Sequence, residues 1–182
     1  SRKSDYGEMK YALADNVIHL ECHYLWDHFF SAKPRACEGN QEYIRESGKL
    51  HDWFRNPCSG FDEAALEKLL VSLGQPSGFT AEEFFFGDGT WRQICEYYNK
   101  YDAENSFIHY LWAIKATHAP LFKLATVAHE LSVATGAFHT VSTGFAGFLG
   151  VLLHYRTGRP LILTEHGIYT KERKIDLQSL FI

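Results

Sequence analysis

The sequence predicts an α/β fold, a parallel sheet carrying a helical segment. Three observations point that way. A short apolar run, Pro160-Leu161-Ile162-Leu163, gives way within one residue to the polar, titratable stretch Thr164-Glu165-His166-Gly167. A strand buried in a parallel sheet reads as such a run, and its carboxyl end delivers the polar residues. A second β-prone run, Ala137-Phe138-His139-Thr140-Val141, precedes it, with one clean amphipathic helix between the two. Ahead of this βαβ unit at residues 137–166, residues 60–130 repeat apolar side chains at helical spacing.

Residues 1–15 are polar and read as loop. Residues 17–25 alternate, with Ile18, Leu20, Cys22 and Tyr24 on one side and His19, Glu21 and His23 on the other, which predicts a strand. A helix is expected around residues 40–54, where Tyr43, Ile44, Leu50 and Phe54 are loosely periodic. Asp62 can cap a second helix, with Phe61 and Leu66 at hydrophobic-staple positions, Leu66, Leu69, Leu70 and Leu73 on one face, and Gly74 as the stop. Thr80 and Glu83 have capping-box spacing and open a short helix through Phe86, which Gly87-Asp88-Gly89 is expected to break. Trp91, Ile94, Cys95 and Tyr98 mark the next helix. Ser106 begins another, with Phe107, Ile108, Leu111, Trp112 and Lys115 in phase, and Pro120 is expected to kink or restart it. Ser142-Thr143-Gly144 reads as a turn with a good N-cap. The helix after it carries Phe145, Phe148, Leu149, Leu152 and Leu153 on one face, places Arg156 in its last turn and stops at Gly158.

Composition sets the outer bounds. The 182 residues suffice for one domain of ordinary size, and 46% apolar with 22% charged residues is a globular composition. A formal charge of −4 and the absence of a basic stripe speak against nucleic acid as a partner. No apolar run reaches the roughly 18 residues that span a bilayer. Cys22, Cys37, Cys58 and Cys95 form no CxxC pair and have no zinc-finger spacing, so reduced thiols in a cytoplasmic protein are the expectation. The chain starts Ser-Arg-Lys-Ser and ends Leu180-Phe181-Ile182, so both ends read as cut from something longer.

The chemistry concentrates at the two strand ends, which point the same way in a βαβ unit. The first carries His139 and then Ser142-Thr143-Gly144; the second carries Glu165 and His166. Ligands of open α/β sheets bind in the crevice beyond such ends. The helix starting near Gly144 offers free amides and a dipole to an anion such as phosphate, and Gly144 and Gly147 would let backbone approach a ligand; a well-capped core helix explains the same pattern. His166 can act as a base or as a donor to a developing charge, with Glu165 or His139 to tune it, or it can simply bond the turn backbone. Lys171 and Arg173 are either a solvated charge run or contacts to a phosphate or acidic sugar. His19, Glu21 and His23, on one face of a strand, could ligate zinc or form an ordinary polar face. The aromatic stretch at residues 80–124 is either core or, if Phe84, Phe86, Trp91 and Trp112 cluster on the surface, a docking face.

The stretches 139–150 (His-Thr-Val-Ser-Thr-Gly-Phe-Ala-Gly-Phe-Leu-Gly) and 157–176 (Thr-Gly-Arg-Pro-Leu-Ile-Leu-Thr-Glu-His-Gly-Ile-Tyr-Thr-Lys-Glu-Arg-Lys-Ile-Asp) resemble the PelF-type glycosyltransferases of exopolysaccharide synthesis, GT-B enzymes of the family-4 kind. Residues 15–27 and 107–124 are similar in a less distinctive way. The resemblance implies that residues 1–182 are part of an N-terminal Rossmann-like domain, the acceptor side of a two-domain cleft. Its glycine-rich first strand and its C-terminal domain, which holds the donor, would lie outside the chain. It implies a retaining hexosyltransferase with a UDP-sugar donor and a glycan acceptor, acting at the cytoplasmic face beside membrane-associated polysaccharide synthesis proteins. It implies no cofactor within this chain. Carried over residue by residue, His166 matches the histidine set against the reacting sugar, and His139, Ser142, Thr143 and Gly144 match the neighbouring cleft-lining loop. On this reading the chain alone is an incomplete enzyme. The rival reading is a non-catalytic interaction module of a synthesis complex.

Overall fold

The computed structural model describes residues 12–25, 34, 36–57, 60, 62–131, 134–167 and 171. Along them run α1 (Gln41–Arg55), α2 (Glu63–Ser72), α3 (Ala81–Phe86), α4 (Asp88–Tyr101), α5 (Phe107–Glu130), β1 (Phe138–Thr140), α6 (Phe145–Thr157) and β2 (Leu161–Leu163). The mixed α/β class and the order helical segment, then βαβ, are as the sequence predicts. The strands are parallel, with Phe138 opposite Leu161, His139 opposite Ile162 and Thr140 opposite Leu163.

Local chemistry accounts for most helix bounds. The Asn40 side chain accepts from the amides of Glu42 and Tyr43 at 3.0 and 3.3 Å and starts α1. Asp62 accepts from Ala65 at 3.0 Å and starts α2; Phe61, its expected staple partner, lies outside the described residues. Gly74, at φ +75°, follows the C-cap of α2, a left-handed geometry that suits glycine. The Thr80–Glu83 capping box is complete: Glu83 N–H donates to Thr80 Oγ1 at 3.2 Å, and Thr80 N–H donates to Glu83 Oε2 at 3.0 Å.

Some expectations need correction. The break after Phe86 is Gly87 alone, because Asp88 and Gly89 already belong to the first turn of α4. Pro120 neither divides nor restarts α5, which runs through it for 24 residues. Residues 17–25 form no strand: all but Tyr24 and Leu25 are exposed, and Ile18 is 98% exposed. Alternation supplies a strand's faces but not its neighbour, and among the described residues no strand forms a ladder with this segment. The strands of the βαβ unit are also shorter than the runs that predict them, three residues each.

One core unites the helical segment with the βαβ unit. Phe79, Phe84 and Phe122 pack ring to ring at 5.2 to 5.9 Å, and Leu69, Leu70, Ala125, Phe138, Leu152 and Leu153 continue the same cluster. Helix α6 packs on α5 on one side and on both strands on the other. Gly150 permits the second contact, since a Cβ there would sit 2.7 Å from both Thr140 Cγ2 and Leu161 Cδ1. Arg156 does more than suit the dipole of its own helix: its guanidinium donates to the His129 carbonyl at 2.8 Å, at the carboxyl end of α5.

Candidate functional site

The parallel register carries both strand ends to one edge of the unit. The amide of Thr164 donates to the Thr140 carbonyl at 2.9 Å and extends the ladder one bond past β2. Side chains alternate across a strand, so Phe138 and Thr140 turn inward and are buried, while His139 turns to the opposite, open face. Thr164 lies two residues beyond Ile162, the partner of His139, and so shares that face. There His139 Nε2 meets Thr164 Oγ1 at 2.8 Å, a hydrogen bond between the two strand ends. Glu165 and His166 follow, both exposed.

Helix α6 opens between these ends with Gly144 at its N-cap, and no side chain caps its first turn. The expected cap is therefore corrected. Ser142 Oγ accepts from the Gly144 amide at 3.3 Å, two residues on, which is a local hydroxyl turn ahead of the helix. Thr140 Oγ1 donates to the Ser142 carbonyl at 3.3 Å and steadies the same turn. Thr143 is exposed and Gly144 half-buried beside it. Gly147 does not hold space for a ligand. A Cβ there would stand 2.9 Å from the Ser142 oxygen and 3.4 Å from Leu163 Cδ1, so its role is close packing of helix, turn and strand. The first-turn amides and the helix dipole remain a place where negative charge is favoured.

The structure thus brings together His139, Ser142, Thr143, Gly144 and Thr164, with Glu165 and His166 just beyond. Lys171 is exposed, and Arg173 lies outside the described residues. A groove of about 1100 Å³ between α1, α2 and α4, with Asp52, Trp53, Arg55, Lys100 and Tyr101 in its wall, contains none of these residues. The strand ends are preferred to it because they combine convergent polar groups with a helix N-terminus.

The other candidates resolve separately. His19 and His23 each contact a different oxygen of Glu21, both at 3.1 Å, and the bond from His23, followed by that from His19, holds the Glu21 carboxyl below its ordinary range. This is a solvated cluster on an irregular segment. Among the described residues no group of three or more His, Cys, Asp or Glu is arranged to hold a metal ion. Cys22, Cys37 and Cys95 are free thiols, and Cys58 lies outside the described residues. Phe84 is buried and Phe86 half-buried, whereas Trp91 and Trp112 are 47% and 54% exposed, so the aromatic stretch divides between core and surface. Among the described residues no helix is long and apolar enough to cross a membrane. A half-buried contact between His51 and His118 has no counterpart in the sequence reading, because a separation of 67 residues leaves no motif to read.

Fold and site together define a parallel α/β domain with its polar groups gathered past the strand ends. The family described as domain of unknown function DUF3492 matches residues 1–182, and the chain belongs to that family. No curated protein and no solved structure matches it.

Proposed function

We propose that this chain forms the acceptor-side wall of the cleft in a retaining, UDP-sugar-dependent hexosyltransferase of the PelF type that makes exopolysaccharide at the cytoplasmic face of the membrane. The observation that carries the reading is the His139–Thr164 hydrogen bond at the strand ends. It sets two polar side chains beside the uncapped start of α6, with His166 on the adjoining loop. Glycosyl transfer builds positive charge on the sugar and negative charge on the departing diphosphate. Fixed donors and dipoles aimed at developing charge lower such a barrier. In this reading His166 contacts the reacting sugar, His139 and Thr164 line the acceptor side, and the Ser142–Thr143–Gly144 turn with the first amides of α6 faces the anionic part of the donor. Glu165 would border the same cleft, and Lys171 or Arg173 would supply a cation to a phosphate or acidic sugar. A second domain would hold the nucleotide.

The resemblance of residues 137–176 to that family supports the reading, as does the placement of the matched residues on one edge. The test is His166→Ala in the complete enzyme, with sugar transfer measured beside a folding control. Loss of about two orders of magnitude or more in turnover is expected for removal of a group that acts on the transition state. Near-normal transfer by a folded variant would sink the role. A docking module of a synthesis complex is the second reading, favoured by the exposure of Trp91, Ile108 and Trp112.

A further inference from the structure

Helices α1 and α5 are joined by a contact far in character from the strand-end site. Nε2 of His51 lies 3.0 Å from Nε2 of His118, with ring centroids 5.2 Å apart. Nδ1 of His118 lies 2.8 Å from the Ile114 carbonyl oxygen, one turn back in α5. Phe84 stacks on the His118 ring at 4.8 Å, and Tyr97 meets the His51 ring edge-on at 6.5 Å.

These contacts fix where the hydrogens are. A carbonyl oxygen only accepts, so Nδ1 of His118 carries a hydrogen. The neutral His118 ring then presents a bare lone pair at Nε2, and His51 must donate to it from its own Nε2. Neutral His51 is left with a bare lone pair at Nδ1. That atom is buried and has no hydrogen-bond partner. The Ser47 carbonyl, one turn back in α1, acts on this ring in favour of its protonated form, and it cannot donate either. A proton on His51 Nδ1 removes the defect: the ring then points one N–H towards Ser47 and keeps the other on His118. A further proton has no such place. On His118 it would aim an N–H at the N–H of His51.

We propose that His51 and His118 form a one-proton latch between α1 and α5, in which the first proton goes to His51 and leaves the latch shut, and the second goes to His118 and opens it.

The surroundings support this order. Burial, and then the charge of His51, hold His118 down to about 4. Burial also lowers His51, and Arg55 lowers it further, while Ser47 and Asp52 oppose them. The other titratable groups at the site are Tyr97 on α4 and Tyr110 on α5, both raised by burial and so neutral across this range, and α3 contributes only the uncharged Phe84. The cavity among them is about 30 Å³, too small for anything beyond a water to intervene. Pro120, two residues past His118, has no N–H to give the Ala116 carbonyl, so the ladder of α5 has a gap beside the latch.

The test is ring ¹⁵N–¹H spectroscopy of the ¹⁵N-histidine-labelled wild-type chain, assigned through backbone-to-ring correlations. At neutral pH His118 should be the Nδ1–H tautomer and His51 the Nε2–H tautomer. On acidification His51 should become imidazolium while His118 stays neutral and the amide spectrum stays native. Protonation of His118 near pH 4 should then coincide with a fall of about tenfold or more in the exchange protection of α1 amides. An Nε2–H tautomer of His118, simultaneous titration of both rings, or α1 protection that survives His118 protonation would each overturn the proposal.

Discussion

At the scale of single residues, the strand-end histidine and the buried pair show what one-dimensional reading reaches. The positions of His139, inside a short β-prone run, and of His166, just past a short apolar one, are legible because each is a local pattern. His51 and His118 sit in different helices with no motif around either, and only the tertiary packing of the fold brings the two rings together. That packing has a consequence for stability. The unfolded chain binds a proton at His118 with the ordinary value of 6.5, the folded chain only at about 4. Between those values the unfolded state holds the extra proton, so acid favours unfolding. The gap corresponds to about 3 kcal/mol of native stability, present in full above pH 6.5 and lost as pH falls towards 4. Denaturant titrations at pH 7 and near pH 4 should differ by that order, and His118→Leu, if it folds, should flatten the difference.

At the scale of elements, capping residues and glycines decide where helices begin, end and touch. Most of these were legible, because a cap is a contact over three or four residues. Thr80→Ala removes one half of a reciprocal capping box and should cost about 1 kcal/mol in denaturant unfolding, with no change of fold. Gly150→Val is the harsher change. Its side chain would have to displace Thr140 and Leu161, 2.7 Å from where its Cβ begins, and so part α6 from both strands. A loss of about 1–3 kcal/mol is expected, read in the same assay. The strand expected over residues 17–25 shows the limit of periodicity. The alternating pattern is present, but a strand needs a ladder, and the identity of the neighbouring strand is not a local property. Gly147 makes the same point from the other side: glycine advertises closeness, yet the sequence does not say whether ligand, carbonyl or leucine comes close.

At the scale of the molecule, the class was legible and the manner of its closure was not. Periodicity separates a helical segment from a βαβ unit, and it leaves open whether the two are neighbours or one body. The core answers that, since Phe138, Leu152 and Leu153 of the βαβ unit belong to the same cluster as Leu69, Leu70 and Phe122. Arg156 fastens the join by bonding the last turn of α5. Between the two parts Gly136 and Ala137 are exposed, and among the described residues nothing lies within 4 Å of where a Cβ on Gly136 would stand. Continuity of the chain there holds little together that the core and Arg156 do not already hold. Residues 1–135 and 136–182, made as two polypeptides, should find each other and rebuild the helical spectrum that neither half gives alone. Arg156→Ala should weaken that reassembly. Reassembly of the halves would mark the shared core and the guanidinium seated on the end of α5, rather than the unbroken backbone, as what makes this chain one fold.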